Sequence, residues 1–433
     1  YAYITLSDLE NGSTYQYRVQ ANDTVGNTIT IPTLPQYRSF TVHEPVPWYN
    51  TAWQHRKSII IDHELVGDNF TNFPVLISVP SDTEIVSSAQ STGYDFVFTD
   101  SAGVKLNHQI ELYDDSTGQL VAWVNVTELS GEEDTILYLY YGNDACGNQE
   151  NIVGTWSTHY RMVQHLNETA GTHVDSTSYG NDGTYYGSSQ DATGIIDGAD
   201  DFVRVDDDNG DYVDCGNDSS LDVTSEITVS AWINPGDQTG WNHLVTKGAD
   251  NPNRVYQLSI DVDEFIDFRI NANSSSAATS SVSVPIDSWS YVVGTFDGST
   301  VKVYINGVEY GSTNWSNPIN TNEVHLRIGS RVSGSGNTGP SAWTFDGAID
   351  EVRLSNPAHS SEWILTEYYN QYNPDSFFDI GLEETAPSGD SIPPEISDVT
   401  VVMSDPIDTV IGWENISCTV TDNDIVDQVQ LVI

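Results

Sequence analysis

Between residues 1 and 382 the chain alternates short apolar and polar runs, broken by clusters of Gly, Asn, Asp and Ser. A period of two bounded by turn residues predicts antiparallel strands packed face to face. Six such runs, 56–62 (RKSIIID), 73–79, 94–100, 108–114, 120–126 and 135–143, crowd into the stretch before residue 156 and are enough for one complete sandwich. A second, longer set follows, including 227–235 (ITVSAWINP), 289–298 (WSYVVGTFDG), 301–311 (VKVYINGVEYG) and 345–355 (FDGAIDEVRLS). Within it, Asn306-Gly307 between alternating apolar positions predicts a tight hairpin with positive φ. Residues 361–371 (SEWILTEYYNQ) read as a short helix. Proline clusters at 43–48 and 385–395 mark connectors, since Pro breaks sheet pairing. The reading is all-β, with tandem β-sandwich and jelly-roll domains divided as 1–45, 46–156, 157–384 and 385–433.

Composition narrows the functions open to such a chain. Its 433 residues carry 14 Lys+Arg against 63 Asp+Glu, a net charge of −49. That repels a nucleic-acid backbone at every approach, so a DNA or RNA partner is excluded. No run approaches the ~18 to 20 apolar residues of a membrane-crossing helix, and none is expected in this segment. Three scattered cysteines (Cys146, Cys215, Cys418) form no disulfide framework or metal-ligand spacing and are expected to be free thiols. Nine Asn-x-Ser/Thr sequons begin at Asn11, Asn22, Asn69, Asn125, Asn167, Asn217, Asn273, Asn314 and Asn415. They are candidate glycosylation sites if the protein is extracellular or on the cell surface.

Four stretches resemble known families. Leu9, Asn11, Gly12, Tyr15, Tyr17, Arg18 and Val19 fit L-x-N-G-x-x-Y-x-Y-R-V and resemble the last strands of a fibronectin type III domain. The strands at 394–403, 415–424 and 426–433 are similar to the first half of an immunoglobulin-like domain. Between the connectors, W-x-x-R-K-x-I-x-I-D, N-F-P-V-L-I, the AWV strand and Y-L-Y-Y-G-N resemble a prokaryotic surface-protein domain of unknown function. Residues 165–166 (HL), 175–183 (DSTSYGNDG), 211–223, 227–235, 289–298, 301–311, 326–330 and 345–355 resemble a laminin-G-like, concanavalin A-like jelly roll.

Some members of that superfamily are glycosidases, which need two carboxylates facing one cleft, often from E-x-D-x-x-E. That pattern is missing here, as are G-x-S-x-G, H-E-x-x-H and the P-loop. The nearest acidic run, 261–268 (DVDEFIDF), reads as a charged edge strand. No catalytic residue is expected, and the chain is read as non-enzymatic. The laminin-G resemblance implies a calcium ion held by Asp175, Asn181, Asp182 and Asp350. The alternative is that these side chains close turns and cap amides. The run 206–211 (DDDNGD) is a second cation candidate. Trp241, Trp315 and Trp343 lie in Gly/Ser/Asn-rich segments and are the candidate platforms for a carbohydrate ring, whereas Trp232 and Trp289 sit inside strands and are expected in the core. The expected function is structural, in an archaeal cell-surface or filament glycoprotein whose partners are other copies of itself or neighbouring repeats. The second reading is a glycan-binding adhesin.

Overall fold

The computed structural model describes residues 47–387, except 157–158, 207–208, 237–238, 250–251, 273 and 334–340, together with the backbones of six flanking strands. These flanking strands pair as Thr14–Tyr17 with Arg38–Thr41, Val19–Asn22 with Thr28–Ile31, and Glu395–Met403 with Glu414–Thr421. The fibronectin-like and immunoglobulin-like resemblances fall on these two terminal stretches, most of which lies outside the described residues. The chain divides into two compact units, Tyr49–Thr385 and a second made of Tyr1–Trp48 with Ala386–Ile433. The fold is all-β.

Tyr49–Thr385 contains two sandwiches with separate cores. In the first, His55–Ile61, Thr135–Tyr141 and Val97–Asp100 form one sheet, and Phe70–Val79, Gln119–Leu129 and His108–Asp114 the other. Ile59, Ile61, Phe73, Val75, Ile77, Phe96, Phe98, Ala122, Val124, Leu137 and Leu139 fill the space between them. Phe70–Val79 and Gln119–Leu129 are nearly continuous in buried residues, because both of their faces are covered. The second face holds Leu76, Val121 and Trp123, which pack on Trp156, Tyr160 and Val163 at the start of the second sandwich.

The second sandwich sets an eight-stranded sheet, centred on Gly347–Ser355, Ile227–Pro235 and Ser290–Phe296, against a seven-stranded one. The latter runs Thr184–Tyr186, Tyr212–Asp214, Leu326–Ile328, Asn242–Gly248, Arg254–Ile260, Phe265–Ile270, Ala277–Ser283. Every second residue faces the shared core, for example Tyr256, Leu258 and Ile260 beside Ile266, Phe268 and Ile270. The hairpin at Asn306-Gly307 forms with φ of 51° and 81°, as its sequence predicts. Residues 261–264 are a turn and no edge strand: Asp261 accepts from the amides of Asp263 and Phe265, and Glu264 sits at φ 68°.

The helix Ser361–Tyr372 wedges the sandwiches together. Ser360 caps it through the Trp363 amide at 3.2 Å, and Trp363 packs on Phe70 and Phe73 of the first sandwich. Asn370 brackets the Leu76 backbone, its oxygen accepting from the amide at 2.7 Å and its nitrogen donating to the carbonyl at 2.9 Å. On the other side Trp232 donates its indole N–H to Gln371 at 2.7 Å. Trp232 is therefore buried under this helix, with Tyr291 and Ile364, outside the inter-sheet core. Beyond the helix, Phe378–Ile380 and Glu384–Thr385 return to pair with His55–Ile61. The end of the 157–384 stretch thus completes the first sheet.

Candidate functional site

Strand register builds a polar surface on the seven-stranded sheet, on the face turned from the core. Asp214 lies opposite Arg327, Arg327 opposite Thr246, Thr246 opposite Gln257, and Gln257 opposite Arg269. The neighbouring row runs His243, Ser259, Asp267, Thr279. These residues alternate with core residues along their own strands, so both rows project from one face. His243, Thr246, Gln257, Ser259, Asp267 and Arg327 are buried.

The surface is cross-linked but leaves hydrogen-bonding capacity open. Arg269 forks onto Asp267 at 2.5 and 2.9 Å, and Thr279 donates to the same carboxylate. Gln257 donates to Ser259 at 2.7 Å, while its oxygen is buried without a hydrogen-bond partner. Aromatic rings flank both ends. Arg269 lies 4.9 Å over the half-buried Trp241. At the far end, Arg327 lies 4.1 Å over Tyr212, which stacks on the exposed Tyr186 at 4.6 Å. Burial drives the His243 imidazole well below its ordinary value, and Arg331, Arg254 and Arg269 push it further. The ring is neutral here and hydrogen-bonds Thr246 at 2.9 Å. The buried polar layer is closed to solvent, and the ring faces of Trp241 and Tyr186 at its rim are the parts that a polyhydroxylated ligand could stack on.

The three candidate tryptophans are all half-buried. Trp241 borders the polar surface, and Trp343, at φ 55°, accepts the His243 amide through its carbonyl. Trp315 packs against the main core and its indole nitrogen is buried, which makes it an anchor and no open platform.

The four expected calcium ligands make two distinct sets of hydrogen bonds. Asp175 accepts from the amides of Val163, Thr177 and Asn181 and from the Thr177 hydroxyl, while Asp182 accepts from the Asp175 amide. Asn181 donates to the Arg161 carbonyl and to Ser220. Asp350 instead accepts from the amides of Ile195 and Ile196. In the second cation candidate, Asp207 and Asp208 lie outside the described residues.

Among the sequons, Asn125 is corrected by the structure. It is buried and donates to the Thr155 carbonyl at 2.8 Å, so its amide is closed to a glycan in the folded chain. The alternating strand that carries it is covered on both faces, which the sequon pattern cannot register. Asn69 and Asn314 are exposed, and Asn167 and Asn217 half-buried. Asn11 and Asn273 lie outside the described residues, and Asn22 and Asn415 are placed by backbone only.

A cluster that sequence reasoning missed sits at the seam between the sandwiches. His165 Nδ1 lies 2.6 Å from Glu351 and 3.4 Å from Glu111. Arg353 bonds Glu351 at 2.6 Å and lies 4.2 Å over Trp123, and Glu367 accepts from Tyr291 at 2.9 Å. Burial pushes Glu111 up to about 8. Burial also opposes the His165 cation, but Glu351 and Glu111 outweigh it and hold the ring at about 9. Paired carboxyls with raised proton affinity are the equipment of a glycosidase. The side chains of Glu111 and Glu351 have no exposure, however, so no substrate reaches them.

Comparison with known proteins finds two family models that match parts of the chain. Residues 207–365 match the Laminin_G_3 family, described as the concanavalin A-like lectin/glucanases superfamily. Residues 92–181 match a domain of unknown function, DUF2341. No curated protein matches the chain. Among solved structures, domain 4 of an extracellular GH43 arabinanase from Geobacillus stearothermophilus, solved with arabinotriose, is similar at 19% identity over 48% of this chain and 98% of that one, with a TM-score of 0.35. The botulinum neurotoxin serotype C1 binding domain is similar at 14% identity over 51% and 53%, TM-score 0.38. A heptameric SAP-like pentraxin from Limulus polyphemus is similar at 16% over 33% and 69%, TM-score 0.29. At TM-scores below 0.5 these likenesses carry no weight for this chain's ligand.

Proposed function

We propose that the chain is a non-catalytic part of an extracellular or cell-surface protein whose concanavalin A-like sandwich binds glycans. The observation that carries this reading is the pair of ring platforms at the rim of the seven-stranded sheet's polar face, half-buried Trp241 beside Arg269 and exposed Tyr186 stacked on Tyr212, while Gln257 and Asp267 form the buried layer that holds them. The first sandwich acts as a rigid mount, joined through the helix wedge and the seam. Screening the full chain on a glycan array, followed by calorimetry on the best ligand, tests the proposal. Trp241→Ala should weaken binding roughly 5- to 30-fold, since loss of one ring-stacking contact costs on the order of 1 to 2 kcal/mol. Absence of binding to any glycan, or full binding by the Trp241 variant, refutes the assignment of this face. Head-to-tail assembly through the terminal stretches is a separate proposal, tested by negative-stain microscopy of the native protein.

A further inference from the structure

Lys247 is an unusual lysine for this chain. It is one of four lysines, it lies in the strand Asn242–Gly248, and it is fully buried. Its Nζ makes a close contact with the side-chain oxygen of Asn217 and donates to the Val324 carbonyl at 3.1 Å. The Asn217 nitrogen donates to Glu323 Oε2 at 3.0 Å. Asp222 Oδ1, a buried atom with no hydrogen-bond partner, lies 3.4 Å from the same Nζ. An amine, a carboxamide and two carboxylates, one at the amine and one at the amide nitrogen, thus converge from three separate segments of the second sandwich.

We propose that Lys247 and Asn217 join through an intramolecular isopeptide bond. Asp222 takes one proton from the Lys247 ammonium, and the neutral amine attacks Cγ of Asn217. A second proton passes from Nζ through Glu323 to Nδ2 as the Cγ–Nδ2 bond breaks. Ammonia leaves, an Nζ–Cγ amide remains, and the proton on Asp222 returns to water. Nothing is oxidised or reduced, and no co-reactant is needed. The site, with its amine fully buried, supplies the conditions such a step requires. Reacting groups held in contact convert a bimolecular reaction into an intramolecular one, and burial lowers the proton affinity of Lys247, favouring the nucleophilic free amine.

The bond would close a covalent loop between the segment after Tyr212–Asp214 and the strand Asn242–Gly248, beside the proposed glycan surface but independent of it. It also competes with glycosylation at the Asn217 sequon, because the glycan would occupy the nitrogen that the cross-link expels.

Intact mass spectrometry of the denatured full chain, made in a host that does not glycosylate, decides the matter. The expected mass is lighter than the sequence by one ammonia, and proteolysis should release one branched peptide containing both Asn217 and Lys247. Lys247→Arg and Asn217→Ala should restore the full mass. Glu323 is exposed, so Glu323→Gln should fold normally and abolish or slow the mass loss at least a hundredfold. A wild-type chain at full sequence mass overturns the proposal, as does a glycan on Asn217 of the native protein. The wild-type measurement stands even if a variant fails to fold.

Discussion

Replacing Glu111 by Gln tests the electrostatics of the seam. Four buried carboxyls, Glu111, Asp350, Glu351 and Glu367, face two cations, His165 and Arg353. Burial raises Glu111 and also Asp350, so these two keep their protons; His165 and Arg353 overcome burial at Glu351 and hold it ionised. The sign of the pH dependence follows. Glu111 binds its proton up to about 8 in the fold against 4.5 ordinarily, so stability falls as pH rises through that interval. His165, at about 9 against 6.5, adds stability that is complete below 6.5 and is lost as pH rises through 9. The Glu111 shift standing alone would correspond to about 5 kcal/mol. Shared titration with His165 and Glu351 reduces what one substitution recovers to about 2 to 4 kcal/mol. Gln keeps an acceptor for the Trp123 indole N–H, now 2.7 Å from Glu111. Glu111→Gln should therefore leave stability near pH 5 unchanged and raise the melting temperature at pH 8 by roughly 4 to 10 °C. Calorimetric melts of parent and variant across pH 5 to 9 report the transition. His108 and His359, held by burial at about 4 and about 3, titrate on the acid side and cancel in the difference between variant and parent. A wild-type transition that is flat from pH 5 to 9, or a variant less stable at pH 8, refutes the reasoning.

Three further outcomes are expected. Asp175→Ala should destabilise the second sandwich by about 2 to 4 kcal/mol in urea unfolding, because it strands three amide donors; a loss below half a kilocalorie contradicts that role. Calcium at the 175–183 loop remains a proposal: its removal by EDTA should lower the melting temperature, and an unmoved transition eliminates the metal. With a net charge of −49, stability should rise with sodium chloride as screening shortens self-repulsion to about 8 Å near 0.15 M; a flat response in thermal melts shows that the repulsion is already spread too thinly to matter.

Local patterning made the strands legible, and it also revealed the helix at 361–371 and the Asn306-Gly307 hairpin, since each of those decisions is made within a few residues. The polar face was hidden for the opposite reason. His243, Gln257, Asp267 and Arg327 are ordinary polar alternates within their own strands, indistinguishable in sequence from residues facing water. Register brings Arg327 beside Thr246 across some eighty residues of chain, and no periodicity within one strand contains that pairing. Trp241 was recognisable as a candidate from its Gly-rich surroundings, whereas Trp315 shared the same composition but packs against the core.

The seam shows how one local irregularity redirects a whole site. A regular strand through A-I-D-E-V-R would place Asp350 and Glu351 on opposite faces. The pairing of Gly347–Ser355 with Ile227–Pro235 instead shifts register between Ser230 and Trp232, and Glu351 adopts φ 52°. A bulge of this kind re-aims side chains, and positive φ at a non-glycine residue costs on the order of 1 kcal/mol or more. That cost is offset where Glu351 meets His165 and Arg353 at 2.6 Å each. Asp350 and Glu351 both end up buried and close enough to repel, with Asp350 turned to the Ile195 and Ile196 amides. The acid that the resemblance assigns to calcium thus accepts from two backbone amides of the second sandwich. Straightening the bulge would return Asp350 to the opposite face and leave His165 without its closest counter-charge, so the geometry of the strand and the protonation of the seam are held by the same residue.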